Sequence, residues 1–217
     1  MTRPLAAGLG LLAAVALLRR RYLHWGATDQ EVTMALPGDD LVDHADLVAT
    51  RAITISAAAS DIWPWLAQLG QGRGGFYSYD ALENLVGCDI HSADRIVPEW
   101  QSVDVGSEVR FAPEIALAVA RVEHGRALVL RGGIPMGPVP PPYDSTWAFV
   151  LIDRDDGTTR LVTRERYEYS RWWAGLVLEP VELVSFVMSR RMLRGVKARA
   201  ERTPVGARDP GARDLQR

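Results

Sequence analysis

The chain has 217 residues, with 25 lysines and arginines against 27 aspartates and glutamates and a formal net charge of -2. That balance gives no global electrostatic reason to expect nucleic acid as a partner, and the single cysteine, Cys88, excludes an intrachain disulfide framework and fits a reducing compartment. With both ends set aside, roughly 150 residues remain, the size of one ordinary domain with a sizeable core.

Pro4 to Leu18 carries no charge, and Arg19, Arg20 and Arg21 follow at once. As a helix this run spans about 22 Å, short of a hydrocarbon core of roughly 30 Å. Snorkelling arginines lengthen the reach, and Tyr22 and Trp25 suit a membrane interface. A secretory signal carries its positive charge before the apolar run, not after it. Residues 1–25 are therefore expected to form a short transmembrane or membrane-anchor helix with a basic flank, with residues 4–18 in contact with lipid. The positive-inside rule then places the protein at the cell membrane, single-pass or peripheral, with its main domain cytoplasmic. The competing reading is an amphipathic or buried helix.

Residues 26–47 are acidic and turn-rich and read as an extended linker. Arg51 to Ser56 alternates, with Ile53 and Ile55 on the side opposite Ala52 and Thr54, as in a strand. Ser60 is placed to cap a helix running to Gln68 or Leu69, with Pro64 in its first turn. Gly70, Gly72, Gly74 and Gly75 break that helix, and Tyr79 to Val86 makes a short second one ended by Gly87. Beyond Trp100 the pattern turns to strands. Glu108–Ala112, Ile115–Val122, Arg126–Arg131, Thr146–Asp153 and Thr159–Tyr169 are rich in valine, leucine and aromatics, with turn signals such as His124-Gly125 and Asp155-Asp156-Gly157 between them. In the last of these, Arg160, Arg164 and Arg166 read as a solvated row opposite Leu161, Thr163, Glu165 and Tyr167. The proline-rich stretch Gly132 to Asp144 reads as a lid or rim. Gly175 to Arg202 is a long helix whose valine and methionine stripe, Val177, Val181, Val184, Met188 and Met192, is expected to be buried. Residues 203–217 have the composition of a disordered tail. Strands clustered between helices argue an α+β fold. A curved sheet wrapped about one long helix has an inner face that side chains need not fill.

The first strand and helix, ATRAITISAAASDIWPWLAQLG, and the segment TWAFVLIDRDDGTTRLVTRERYEY before the last helix carry a resemblance. Over residues 48–202 the chain resembles the SRPBCC or START-like superfamily, the helix-grip fold shared with polyketide cyclases and lipid-transfer domains. More narrowly, WGATDQE, GQGRGGFYSYDALENLVG and IHSADRIVPEW resemble a group of actinobacterial members with a short N-terminal membrane segment. The resemblance implies a curved antiparallel sheet wrapped around a long C-terminal helix, with a deep apolar cavity between them. Ligands across the superfamily include lipids, sterols, polyketides and hormones, and the resemblance implies no particular reaction.

Within that frame, Gly70 to Trp100 mixes rings with ionisable groups and reads as the mouth of a pocket. The side chains expected to meet a ligand are Trp63, Phe76, Tyr77, Tyr79, Trp100, Trp147, Val184 and Met188. His91, with Asp89 or Asp94 to orient its ring, is the candidate general acid or base of a cyclase, aromatase or dehydratase. The competing reading has His91 fixing its loop by hydrogen bonds. Cys88, Asp89 and His91 are too bunched to converge on one ion and lack a second ligand pair, so neither a metal nor any other cofactor is expected. GQGRGG lacks the Lys-Ser/Thr of a phosphate loop and follows a helix rather than a strand; Arg73 is its one side chain suited to an anionic head. The leading expectation is a protein that binds a hydrophobic or amphipathic small molecule at the membrane. The alternatives are an enzyme built on His91 and a domain with a filled interior. The sequence does not indicate an oligomeric state.

Overall fold

The computed structural model describes residues 14–135 and 140–202. The tail 203–217, most of the apolar run Pro4–Leu18 and part of the proline-rich loop therefore lie outside the described residues. Residues 14–23 are helical (α1) and are followed by α2 (Asp29–Thr33), strand β1 (Leu47–Ile55), and helices α3 (Ala59–Ala67) and α4 (Asp80–Leu85). Then come β2 (Glu108–Ala112), β3 (Ile115–Glu123), β4 (Ala127–Arg131), β5 (Tyr143–Asp153), β6 (Thr159–Tyr169) and the long helix α5 (Ala174–Ala200). The strands form one curved six-stranded antiparallel sheet in the order β1-β6-β5-β4-β3-β2, so the first strand pairs with the last. Helix α5 packs on its inner face, a helix-grip arrangement.

The strand period of two sorts the side chains. Ile55, Leu161, Phe149, Leu151, Leu128, Leu130 and Val119 point inward and are buried with Ile62, Trp65 and Leu66 of α3 and Met192, Leu193 and Val196 of α5. The C-terminal half of α5 approaches the Gly70–Trp100 connection so closely that a Cβ on Gly195 would clash with the Tyr77 carbonyl oxygen. Tyr77 holds that contact with a left-handed backbone (φ 57°), its hydroxyl donating to the Trp65 carbonyl at 3.0 Å and its ring edge-on to Trp65.

Three expectations are corrected. Residues 26–47 are not an extended linker: they fold back as a strap over the outer sheet face, where Leu36 packs on Ala52, Val129, Ala148 and Val162. The arginine row of β6 is consequently not solvated. Arg160 pairs with Glu31 of α2 at 2.7 Å, and Arg164, buried, pairs with Asp39 at 2.5 Å and donates to the carbonyls of Glu31, Val32 and Met34. Arg166 donates to the Val42 carbonyl. The acids that made the segment look like a linker are the counter-charges of this row. The second correction concerns α3, whose N-cap is Ala58, with no side-chain cap. Ser60 thus lies inside the helix, and Pro64 falls past its first turn, where it removes one backbone hydrogen bond.

The third correction is the rotation of α5. Its sheet-facing row is Ala174, Leu178, Glu182, Ser189, Met192, Val196 and Ala200, all buried, whereas Val181, Val184 and Val187 are exposed. The spacing of three and four is as expected, but the row is displaced from the predicted one. Ionic and hydroxyl groups face the sheet because their partners stand there.

Candidate functional site

Between the sheet and the N-terminal half of α5 the structure leaves a cavity of about 380 Å³, within the range of small-molecule sites. One wall is aromatic. Phe76, from the connection after α3, stacks on Phe111 of β2 with centroids 4.8 Å apart, and both lie against Trp147 of β5 at 6.1 and 5.6 Å. Leu117, Ile134, Leu178, Val181, Val184, Met188 and Met192 complete an apolar lining.

Among its polar groups one ionic cluster stands out. Period two places Arg51 of β1 inward with Ile53 and Ile55, and Glu165 of β6 inward with Leu161 and Thr163. The Arg51 guanidinium is fully buried; it donates to Glu165 Oε1 at 2.7 Å, to the Tyr22 carbonyl at 3.1 Å and to Glu182 Oε1. Glu165 also accepts from the Tyr167 hydroxyl at 2.8 Å, the Ser185 hydroxyl at 2.8 Å and the Ser189 hydroxyl at 3.2 Å. Glu165 is thus fully solvated by protein donors. Glu182 is not: among the described residues its Oε2 has no hydrogen-bond partner, and the residue lines the cavity.

One guanidinium balances one carboxylate, so the second carboxyl keeps its proton. Burial, then repulsion from Glu165, push Glu182 up to about 8, against the pull of Arg51. The Tyr167 hydroxyl is raised well above its ordinary value by burial and by the Glu165 charge it donates to. A third carboxyl, Glu83 of α4, also lines the cavity. Burial and then Asp80 push it up to about 7, and its Oε2 is buried with no hydrogen-bond partner among the described residues. Beside it the Cys88 thiol is raised by burial and by Glu83. At neutral pH Glu182 and Glu83 therefore bring protonated or half-protonated carboxyls to the cavity, and among the described residues no lysine, arginine or histidine lines it.

Of the side chains expected from the sequence, Phe76, Trp147, Val184 and Met188 line this cavity, whereas Trp63, Tyr77, Tyr79 and Trp100 do not. Tyr77 is core, Trp63 packs edge-on to His124, Tyr79 lies on the surface under Arg191, and Trp100 ends a short 3-10 turn, Pro98–Trp100. The acid-base reading of His91 needs a ring facing the cavity. The geometry is otherwise: the His91 side chain is 80% exposed, 3.1 Å from a likewise exposed Asp89, and Asp94 pairs on the surface with Arg199 at 2.8 Å. Loop-fixing carboxylate work falls instead to Asp80, which accepts from the Ser92 backbone and hydroxyl. Arg73 does not reach toward a ligand. It staples the loop, donating to the carbonyls of Ala67, Trp100 and Ser102. Sequence reasoning missed Arg51, Glu165, Glu182 and Glu83. The signal for the first two was present as charged residues on the apolar side of alternating strands.

No family model and no curated protein matches the chain. Solved structures that resemble it include a hypothetical protein from Helicobacter pylori, 12% identical, covering 77% of this chain and 96% of that one with a TM-score of 0.48. A protein from Nitrosospira multiformis is 12% identical over 70% of this chain and 94% of its own, with a TM-score of 0.45. Norcoclaurine synthase from Thalictrum flavum is 13% identical over 70% and 84%, with a TM-score of 0.40. Likenesses this distant say nothing of ligand or reaction.

Proposed function

We propose that this is a helix-grip protein of the SRPBCC or START-like kind that binds a hydrophobic or amphipathic small molecule between sheet and α5, at a membrane. The observation that carries the reading is the cavity itself: an aromatic-walled space with an apolar lining of leucine, isoleucine, valine and methionine and a buried ionic cluster at Glu165 and Glu182. Burial of an apolar body drives binding at roughly 25 cal/mol per Å², and the few polar groups fix its orientation. A ligand head that accepts a hydrogen bond from the Glu182 acid, or that carries positive charge, fits that end; an anionic head does not.

The membrane part is supported by exposed apolar side chains near one another. Val15, Leu17 and Leu18 on α1 stand free, and Arg19 ties α1 to the start of α5 through a two-bond pair with Glu179. Trp172, Leu176, Leu183 and Val184 are exposed on and before α5. Among the described residues no helix is long and apolar enough to cross a membrane. Deletion of residues 1–18, which keeps the buried Leu23 and the Arg19–Glu179 pair, should release the chain from the membrane fraction. Retention there would count against the anchor. For the cavity, native mass spectrometry of chain purified from cells should find a retained lipid-like species, and repeated absence of one would count against the reading.

A second reading rests on the retained proton of Glu182 beside an apolar cavity: acid-base chemistry of the cyclase or dehydratase type, with Glu182 in the role first expected of His91. Turnover of an identified ligand that persists in Glu182→Gln would remove it.

A further inference from the structure

The second half of α5 carries a cluster that the cavity does not use. Arg190, Arg191 and Arg194 share one helix face and, with Tyr79, Phe186 and Val187, line a concave pocket on the surface. The guanidinium carbons of Arg190 and Arg194 each lie 5.5 Å from the centre of the Trp25 ring, and that of Arg191 lies 5.7 Å from the Tyr79 ring. The rings hold three like charges side by side. Many other arginines are matched to acids, from Arg19 with Glu179 to Arg199 with Asp94, and Arg73 is met by carbonyl oxygens. Among the described residues none of these three makes an ion pair, no acid lines their pocket, and Arg190 Nε is buried without a hydrogen-bond partner.

Three gathered, unneutralised guanidiniums form a fork-donor site for an oxyanion, and phosphate is the one whose geometry they match. The neighbourhood selects its source. Val187 borders the pocket, and toward the N-terminus of α5 the exposed side chains are apolar: Val184, Leu183 and Leu176. One helix face thus runs from an apolar half to a cationic half, the profile of a surface lying at a bilayer boundary. Trp25 lies under Arg190 and Arg194, just after α1, whose described part begins with the exposed Val15, Leu17 and Leu18.

We propose that Arg190, Arg191 and Arg194 bind the phosphate of an anionic membrane lipid and so hold the mouth of the cavity, at Val184 and Met188, against the bilayer. The inference rests on the membrane part of the proposed function. The lipid is a docking partner and not the cavity's cargo, whose polar end is acidic. One suitably placed arginine raises attraction to an anionic surface roughly fivefold, so three make a preference of well over tenfold.

The test uses the full chain in nanodiscs of phosphatidylcholine and phosphatidylglycerol in equal amounts, followed by release and native mass spectrometry of retained lipid. The wild-type chain should retain phosphatidylglycerol over phosphatidylcholine by at least about tenfold. Arg190→Gln/Arg191→Gln/Arg194→Gln should retain the two alike with an unchanged thermal midpoint, and the corresponding triple lysine variant should recover part of the preference. Equal retention by the wild type, or an undiminished preference in the glutamine variant, would overturn the proposal. Retention of free inorganic phosphate in place of lipid would overturn the lipid as its source. Binding of a neutral apolar dye in the cavity is scored separately. A dye-binding chain without lipid preference sinks this inference alone, and a lipid-selective chain without dye binding sinks the cavity reading alone.

Discussion

Replacing Arg51 by methionine removes the one buried cation that faces two carboxyls while keeping most of the side-chain volume. Its partners are Glu165 at 2.7 Å, Glu182 and the Tyr22 carbonyl at 3.1 Å. Charge centres about 4 Å apart at an effective dielectric of 20 attract by about 4 kcal/mol before desolvation. Removing one partner of a buried pair typically costs about 3–5 kcal/mol. The cost depends on pH, and its sign follows from proton counts. In the wild type Glu182 is raised to about 8, so the folded chain holds a proton that the unfolded chain releases near 4.5. Its stabilising contribution is complete below 4.5 and is lost as pH rises through about 8. Without Arg51, whose pull lowers it, Glu182 holds its proton to higher pH, and the loss of stability with rising pH grows. Urea unfolding of both chains at about pH 5, 7 and 9 should give a deficit of about 3–5 kcal/mol at the highest pH, shrinking to about 1–2 kcal/mol at the lowest, where a neutral Glu182 no longer repels its neighbour. A deficit equal at all three, or largest at about pH 5, would contradict this charge balance.

Glu182→Gln should flatten the wild-type decline in stability between about pH 5 and 8, because it removes the titrating proton and leaves the Arg51–Glu165 pair; an unchanged decline in the same unfolding series would assign the proton elsewhere. Gly195→Ala should cost about 1–3 kcal/mol and lower the thermal midpoint, since its Cβ meets the Tyr77 carbonyl. The Glu31 carboxylate is held below its ordinary value of 4.5, where Arg160 and the Thr28 cap together outweigh burial. Its contribution is therefore present above that value and lost as pH falls below it, so limited proteolysis within residues 26–47 should stay slow from neutrality to about pH 5 and accelerate under more acid conditions. Trp147→Ala should weaken binding of a neutral cavity dye by about tenfold, on the scale of removing one aromatic wall from a pocket.

Much of the fold was legible because alternation and composition agree in the sheet. Glu108–Ala112 and Thr159–Tyr169 coincide with β2 and β6, and the long last helix starts and ends within two residues of its expected bounds. The face of α5 was not legible from apolarity alone. Its valines suggested one row, while the sheet takes the row of Leu178, Glu182 and Ser189, whose polar members meet Arg51 and Glu165 across a long separation in sequence. The strap was misread for a related reason. Acidic, turn-rich composition looks like a linker until Glu31 and Asp39 are set against Arg160 and Arg164. In the site, Phe76 and Trp147 were legible as pocket aromatics. Local density of ionisable groups drew attention to Asp89, His91 and Asp94, which the loop turns outward. Arg51 stands alone in its segment and Glu165 sits between two arginines that point the other way, so only the strand parity they share with Ile53 and Leu161 marks them as inward.

Entry of a ligand into the space between the sheet and α5 is the claim on which the rest depends. It is measured by fluorescence titration of the full chain with the neutral dye N-phenyl-1-naphthylamine, beside a variant plugged by Val184→Trp and Met188→Trp. Saturable binding by the wild type, abolished in the plugged chain at unchanged fold, is the predicted result. No saturable binding by the wild type, or equal binding by the plugged chain, would contradict it.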